Sequence, residues 1–204
     1  MSVKGGIRVA VLGVLLAALV ALAPTRAMAQ SSGSTSLGIW AGLFSPLGSD
    51  PSASSAINSI DRRNSFAGGA RLTYWGSHIL GVELVGGLTP AKVNVAGGTV
   101  NATRSLNVFA GGLKLMVGLS PSLSPVGFHI GAGPAVVRRG QDVASQSNSE
   151  TSFGGVVGVG LRFPIASGLG IRLDAEDYVY RGTIAGAKKT RNDLVTSAGL
   201  TIGF

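Results

Sequence analysis

Residues 193–204, with the sequence DLVTSAGLTIGF, decide the fold of this chain. Side chains alternate between two faces along a β-strand, so a two-residue period indicates a strand with one apolar face. Here one face is mostly apolar and ends on an aromatic ring that is also the last residue: Leu194, Thr196, Ala198, Leu200, Ile202 and Phe204. The positions between them are mostly small or polar.

The same period recurs in seven earlier segments, so the sequence predicts eight strands. They are 37–44, 65–75, 80–88, 104–119, 126–136, 153–163, 169–176 and 194–204. The phase of the first strand stays open, because two groups of residues compete for its apolar face: Trp40 and Phe44 against Leu37, Ile39 and Leu43. No stretch after residue 29 is long and apolar enough to span a bilayer as a helix, which takes about 20 residues.

The connections between these strands alternate in length. Three are short, at 76–78, 120–124 and 164–168, and four are long and polar, at 45–64, 90–103, 140–151 and 181–192. Outer-membrane barrels have short turns at the periplasmic end and longer loops outside. The prediction is an all-β fold, an eight-stranded antiparallel up-and-down transmembrane β-barrel with both termini at the short-turn end.

The distribution of charge predicts which strand face meets lipid. Charged residues make up only 13% of the chain, whereas a water-soluble domain usually carries about 25%. A soluble ligand-binding barrel would expose its charges and turn its apolar residues inward. Here the charged residues share a strand face with glycines, which indicates a charge network in the lumen of Arg71, Glu83, Lys114, Arg162, Arg172, Asp174 and Glu176. Asp177 falls on the apolar face.

The N-terminus has the pattern of a secretory signal. Lys4 and Arg8 precede an uncharged run over residues 9–23, and small residues follow at Ala27 and Ala29. This order is typical of a cleaved signal peptide. We predict that residues 1–29 form the signal, that Gln30 begins the mature chain, and that residues 30–204 form the barrel domain.

Composition excludes several other classes of function. The chain has no cysteine, so it has no disulfide, thiolate metal site or cysteine nucleophile. Three of its 17 basic residues leave with the signal, so the mature chain has 17 − 3 = 14 basic and 9 acidic residues and a net charge of +5. The basic residues are spread along the chain and include three pairs predicted to lie in loops: Arg62-Arg63, Arg138-Arg139 and Lys188-Lys189. Nucleic-acid binding needs a clustered basic face, so no nucleic-acid partner is predicted. These loop cations are better suited to attract anionic lipopolysaccharide or another acidic surface.

The chain resembles the eight-stranded outer-membrane barrel domains of the OmpA, OmpX and opacity type over residues 36–204. The resemblance rests on the eight strands and on a C-terminal assembly signal formed by Ser197, Gly199, Ile202 and Phe204. It implies the bacterial outer membrane, surrounding lipid and lipopolysaccharide, and recognition of the last strand by the barrel assembly machinery. Ile202 stands where the family usually has an aromatic residue.

The sequence indicates no catalytic residues, cofactor or metal. The glycine-rich stretch 154–160 lies inside a predicted strand, whereas a dinucleotide fingerprint lies between a strand and a helix. His129 falls on the lumen face, away from any lipid substrate. The favoured function is therefore non-enzymatic, an envelope structural or surface-interaction protein with an unknown surface ligand. A small-solute pore is the alternative, and a lipid A-modifying enzyme is a weaker one.

Overall fold

Eight long antiparallel strands close into a barrel in the computed structural model, and a ninth strand is short. The long strands are β1 Ser34–Leu47, β3 Ser65–Trp75, β4 Leu80–Gly97, β5 Val100–Gly118, β6 Gly127–Val143, β7 Gln146–Ala166, β8 Leu169–Ile184 and β9 Ala187–Gly203. The short strand, β2 Ser59–Arg62, pairs only with β4 among the described strands. The predicted fold, an eight-stranded all-antiparallel barrel, is confirmed.

The structure describes residues 33–47, 59–62, 64–97, 100–119, 126–143, 146–184 and 187–204. The predicted signal peptide, with Ala27, Ala29 and Gln30 at its cleavage position, lies outside these residues, as does the predicted turn 120–124. Within the described ranges, no helix is long and apolar enough to cross a membrane.

The barrel closes because the first and last strands pair along their length. β1 runs antiparallel to β9, with Trp40 opposite Gly199. At the end of this seam, the backbone N–H of Thr35 donates to the carbonyl of Phe204 at 3.1 Å, and the N–H of Phe204 donates back at 2.9 Å. Closure leaves the eight long strands without a free sheet edge in the membrane, where unpaired backbone groups would be penalised heavily.

Alternation along each strand separates an outer apolar face from a filled interior. Exposed aliphatic side chains form a band around the outside: Leu37, Ile39, Leu72, Leu84, Leu113, Leu115, Ile130, Val157, Val159, Leu173, Leu200 and Ile202. The first strand follows the same rule, because Trp40 and Phe44 are buried while Leu37, Ile39 and Leu43 are exposed. The first strand, whose lipid-facing side the sequence left open, therefore turns its aromatic residues inward.

Exposed aromatic rings lie towards both ends of the apolar band. Tyr74, Phe128 and Phe204 lie towards the short-turn end, and Phe66, Phe109 and Phe153 lie towards the other. Aromatic girdles of this kind mark the two membrane interfaces of outer-membrane barrels. The strands between them therefore carry the membrane-spanning part of the barrel.

Three predicted long loops were wrong in their extent, because strand pairing continues into them. β4 and β5 pair as far as Gly97 and Val100, β6 and β7 as far as Val143 and Gln146, and β8 and β9 as far as Ile184 and Ala187. The apolar alternation fades beyond the girdle because no lipid covers the outer face there. Backbone pairing needs no such pattern, so the hairpins extend past the predicted strand ends.

Two smaller features of the connections also differ from the prediction. The 45–64 segment contains β2, and β7 continues to Ala166, which leaves a turn with Gly168 at φ +74°. The three basic pairs predicted in loops lie at least partly in strands: Arg62 in β2, Arg138-Arg139 in β6 and Lys188-Lys189 in β9. One arginine of the β6 pair therefore faces outward and the other inward.

Candidate functional site in the barrel interior

The interior charge network consists of six of the seven residues predicted to line the lumen. Arg71, Glu83, Lys114, Arg172, Asp174 and Glu176 come from four strands, and each is less than 8% exposed. Their side chains meet because they point inward at matching heights of a narrow barrel, which at eight strands is just wide enough to be filled by side chains. Glycines on neighbouring strands make room for them: Gly160 lies opposite Asp174, and Gly158 opposite Glu176.

Every carboxylate in this network contacts at least one cation. Glu83 accepts from Lys114 Nζ at 2.7 Å and also pairs with Arg172. Asp174 Oδ2 lies 2.6 Å from Arg71 Nη1, and Asp174 Oδ1 lies 2.9 Å from Arg172 Nε. Glu176 pairs with Lys114.

Neutral donors complete the hydrogen bonding of the same carboxylates. The Thr73 hydroxyl donates to Glu83 Oε2 at 2.7 Å, and the Tyr178 hydroxyl donates to Glu176 Oε2 at 3.3 Å. Arg71 Nη2 donates to the Ser197 hydroxyl at 3.2 Å. The network therefore balances three cations against three anions, and burial of such charges is tolerable only when they are paired and hydrogen-bonded.

An apolar layer follows the network along the barrel axis. The inward residues of β8 set the order from the turn end to the hairpin end, with Asp174, Glu176, Tyr178 and Tyr180 in succession. Buried side chains pack into one cluster in this part of the interior: Trp40, Phe44, Ala67, Val85, Val108, Ala135, Val137, Val156, Tyr178, Tyr180 and Val195. Trp40 joins the two regions, because the guanidinium of Arg71 lies 5.9 Å from its ring centroid.

A second polar cluster, the outer triad, lies towards the hairpin end and was missed by the sequence analysis. Arg139 of β6 reaches past β7 to Tyr180 of β8 and to Asp193 of β9, with Arg139 Nη2 at 2.6 Å from Asp193 Oδ2. The Tyr180 hydroxyl donates to the same carboxylate oxygen. The guanidinium also lies 5.2 Å from the Tyr180 ring centroid. Alternation along β6 could have identified Arg139 as an interior residue, because it lies ten residues, an even number, from the inward-facing His129.

Arg162 and His129 lie at the turn end of the interior. Arg162 makes no ion pair with the described carboxylates, and its guanidinium lies close to Gly170 and Gly203. It is therefore not part of the network in which the sequence placed it. His129, only 3% exposed, has its Nε2 at 3.1 Å from Asp174 Oδ1.

The four residues of the predicted assembly signal lie on β9 or just after it. Ser197 and Gly199 point inward, next to Arg71 and Trp40 respectively. Ile202 and Phe204 point outward and are 60% and 78% exposed. Their exposure at the turn end leaves both side chains available for contact.

The charged groups of the interior pair with one another and do not converge on a site for a reacting group. Among the described residues, no group of three or more acidic, cysteine or histidine side chains is placed to hold a metal ion. The His129–Asp174 pair is the nearest approach to a base with its orienting carboxylate. It is enclosed by the barrel wall, so a lipid in the membrane does not reach it.

Comparison with known proteins agrees with this architecture. The outer membrane protein beta-barrel domain family matches residues 15–204. No curated protein matches the sequence.

Several solved structures share the fold at low identity. OprG from Pseudomonas aeruginosa is 17% identical, with a TM-score of 0.62 over 86% of this chain and 98% of its own. Neisserial surface protein A is 16% identical, with a TM-score of 0.61 over 85% and 98%. Yersinia pestis Ail in complex with the heparin analogue sucrose octasulfate is 14% identical, with a TM-score of 0.50 over 85% and 99%.

The family match covers nearly the whole chain, and the likeness to solved structures covers the closed barrel and its strand order. The chain therefore belongs to the outer membrane protein beta-barrel domain family of the bacterial outer membrane.

Proposed function

We propose that the protein is a non-enzymatic envelope barrel whose interior is closed to solutes and whose hairpins make its contacts outside the cell. Signal cleavage before Gln30 delivers it to the periplasm, and the barrel assembly machinery recognises the strand that ends in Ile202 and Phe204. The short turns then face the periplasm and the hairpins face outward, as in other barrels of this class.

One observation supports the proposal that the interior is closed: a paired, electrically neutral charge network lies on the turn side of a packed apolar layer. Glu83, Lys114 and Glu176 are each 2% exposed or less. An ion entering this region would have to displace charge pairs that have no other solvation, and an apolar constriction such as the one at Trp40 disfavours water. This arrangement supports a structural barrel over the alternative, a small-solute pore.

Conductance of the refolded mature chain in a planar bilayer tests the closed interior. Only material that migrates differently on SDS gels before and after boiling is used, and an open porin in the same membrane shows that the assay detects channels. We expect no discrete steps. Reproducible, ion-selective steps from the folded protein would contradict the proposal and favour the pore.

The orientation is tested by labelling, because the chain has no cysteine. Ser149 is exposed and pairs with Gly140 in the β6–β7 hairpin, whereas Ser167 lies in the β7–β8 turn. A membrane-impermeant maleimide on intact cells should label Ser149→Cys and spare Ser167→Cys until the envelope is permeabilised. The reverse pattern would contradict the orientation.

The ligand class to test first at the hairpins is an anionic carbohydrate. A heparin analogue is bound in the solved Ail complex, and this mature chain is predicted to be basic. Retention of cells that display the barrel on immobilised heparin, compared with cells that lack it, measures the interaction. Equal retention would remove sulfated glycans from consideration.

A further inference from the structure

Two arginines project from the outside of the barrel where the apolar band ends on the hairpin side. Arg138 follows the buried Val137 of β6, and Arg181 follows the buried Tyr180 of β8, so both alternate to the outer face. Both are exposed, and neither guanidinium makes a hydrogen bond or ion pair with another described residue. Within the described part of the chain, both guanidinium groups are therefore unpaired on the outer surface of the barrel.

Aromatic rings of the girdle lie beside both arginines. Arg138 is directly opposite Phe109 of β5, which is 40% exposed. Phe153 of β7 is 79% exposed and precedes Gly154, the partner of Tyr180, so Phe153 lies next to Arg181. Directly opposed residues of an antiparallel pair share a face, so arginine and ring lie side by side at the membrane interface.

The spacing of the two arginines suits a ligand with more than one anionic group. Arg138 and Arg181 are on strands separated only by β7, which places their backbones ~10 Å apart at about 4.8 Å per strand. Arg138 lies opposite Thr151 of β7, and Arg181 lies beside Phe153 of the same strand, so the two arginines are offset by two residues along the strand direction. Each long side chain can turn toward the space above Phe153.

We propose that Arg138 and Arg181, with the rings of Phe109 and Phe153, form a binding surface for the phosphorylated sugar headgroup of outer-leaflet lipopolysaccharide. Guanidinium groups bind phosphate through paired hydrogen bonds, and the rings hold the acyl chains at the same height. The surface continues the lipid-facing band, so its ligand is a lipid of that leaflet. This inference rests on the proposed orientation, in which the hairpin end faces outward.

Asp177, a carboxylate on the outer face of β8, does not neutralise the surface. Asp177 faces outward four residues closer to the turns on β8, and its Oδ2 accepts a hydrogen bond from Asn192 Nδ2 at 3.2 Å. No ion pair joins Asp177 to either arginine in the described part of the chain. The two positive charges therefore remain available to a phosphate.

The test measures the dissociation constant of bisphosphorylated lipid A for the refolded mature chain in neutral detergent micelles. We expect Arg138→Gln/Arg181→Gln to raise it at least tenfold, and each single variant to raise it by less. Lys188→Gln/Lys189→Gln removes the same charge near the tip of the β8–β9 hairpin and should stay within twofold. Dephosphorylated lipid A should bind the unmodified chain as weakly as the double variant binds the bisphosphorylated lipid.

Three outcomes would overturn the inference. They are an unchanged constant in the double variant, equal affinity for the dephosphorylated lipid, and equally tight binding of phosphatidylglycerol, which would make the surface a general anion site. Each variant is first shown to retain the heat shift on SDS gels. Conductance steps or reversed labelling would count against the proposed function and leave these dissociation constants unchanged, so the two failures are distinguishable.

Discussion

The ring of Trp40 occupies the space that a side chain at Gly69 would need. A β-carbon built on Gly69 would lie 2.7 Å from Cζ2 of Trp40 and would also clash with the backbone carbonyl of Gly86, whereas one on Gly87 would clash chiefly with the Trp40 ring. Trp40 is therefore seated over bare backbone on β3 and β4, which lets a large aromatic side chain fit inside an eight-stranded barrel. The glycines on the charged strand faces are matched to particular large side chains.

Gly69→Ala should destabilise the barrel because its β-carbon would overpack the space between the Trp40 ring and the backbone carbonyl of Gly86 on β4. Overpacking of a filled core costs typically about 1–3 kcal/mol. The free energy of unfolding in urea, measured in lipid vesicles, gives the difference. Gly68→Ala is the matched control, because its β-carbon would meet only the Trp40 carbonyl at 3.5 Å, and a loss equal to that of Gly69→Ala would contradict this account.

Glu83→Gln should be among the most damaging single changes, because it leaves Lys114 and Arg172 buried with less compensating charge. Breaking a buried ion pair by removing one partner costs roughly 3–5 kcal/mol. Adding Lys114→Met to Glu83→Gln should recover part of the lost stability, which a double-mutant cycle in vesicle unfolding measures. Strictly additive losses would mean that the two charges act independently.

Arg139→Gln and Arg138→Gln should differ sharply although the two residues are neighbours. Arg139 pairs with Asp193 inside the barrel, whereas Arg138 faces outward and makes no ion pair with the other described residues. We expect Arg139→Gln to lower the free energy of unfolding by about 2 kcal/mol, within the range for losing a charged hydrogen bond. Arg138→Gln should change it by less than about 0.5 kcal/mol, and similar values for both would show that the outer triad adds nothing to stability.

Phe204→Ala should impair assembly in cells more than refolding in the test tube. The backbone hydrogen bonds of Phe204 to Thr35 do not need the ring, so the purified variant should refold and keep its heat shift. If the ring is read by the assembly machinery, the folded fraction in outer membranes should fall several-fold. Phe128→Ala removes another exposed ring at the same end, and an equal loss in cells would point to membrane anchoring instead.

The sequence was sufficient for the fold because burial has a two-residue period wherever lipid covers one face. The inward phase of Arg71, Glu83 and Arg172 followed from the same period. The contacts between these side chains could not be predicted, because alternation shows which face of the sheet a side chain is on and not its position along the barrel axis. Arg162 illustrates this limit, because it points inward as predicted but lies close to Gly170 and Gly203 and makes no ion pair with the described carboxylates.

Register explains the remaining differences. Asp174 meets Arg71 across 103 residues of sequence, and that contact depends on how far each strand is shifted along its neighbours. The outer triad depends on the same shifts, and Arg139 also lies beyond the predicted strand end at residue 136. Strand extension into the hairpins is invisible to that pattern, because backbone pairing there no longer coincides with a lipid-covered face.

Three of the six network charges, Arg172, Asp174 and Glu176, are carried by β8. A barrel assembled only as far as β7 contains Arg71, Glu83 and Lys114, which carry one surplus positive charge. Asp174 and Glu176, the carboxylates that pair with Arg71 and Lys114, are still missing from it. Arrival of β8 then supplies the missing partners at once, across sequence separations that make such contacts slow to form. Barrel closure should therefore be late and abrupt, with neutralisation of the interior and sealing of the last seam occurring as a single kinetic event.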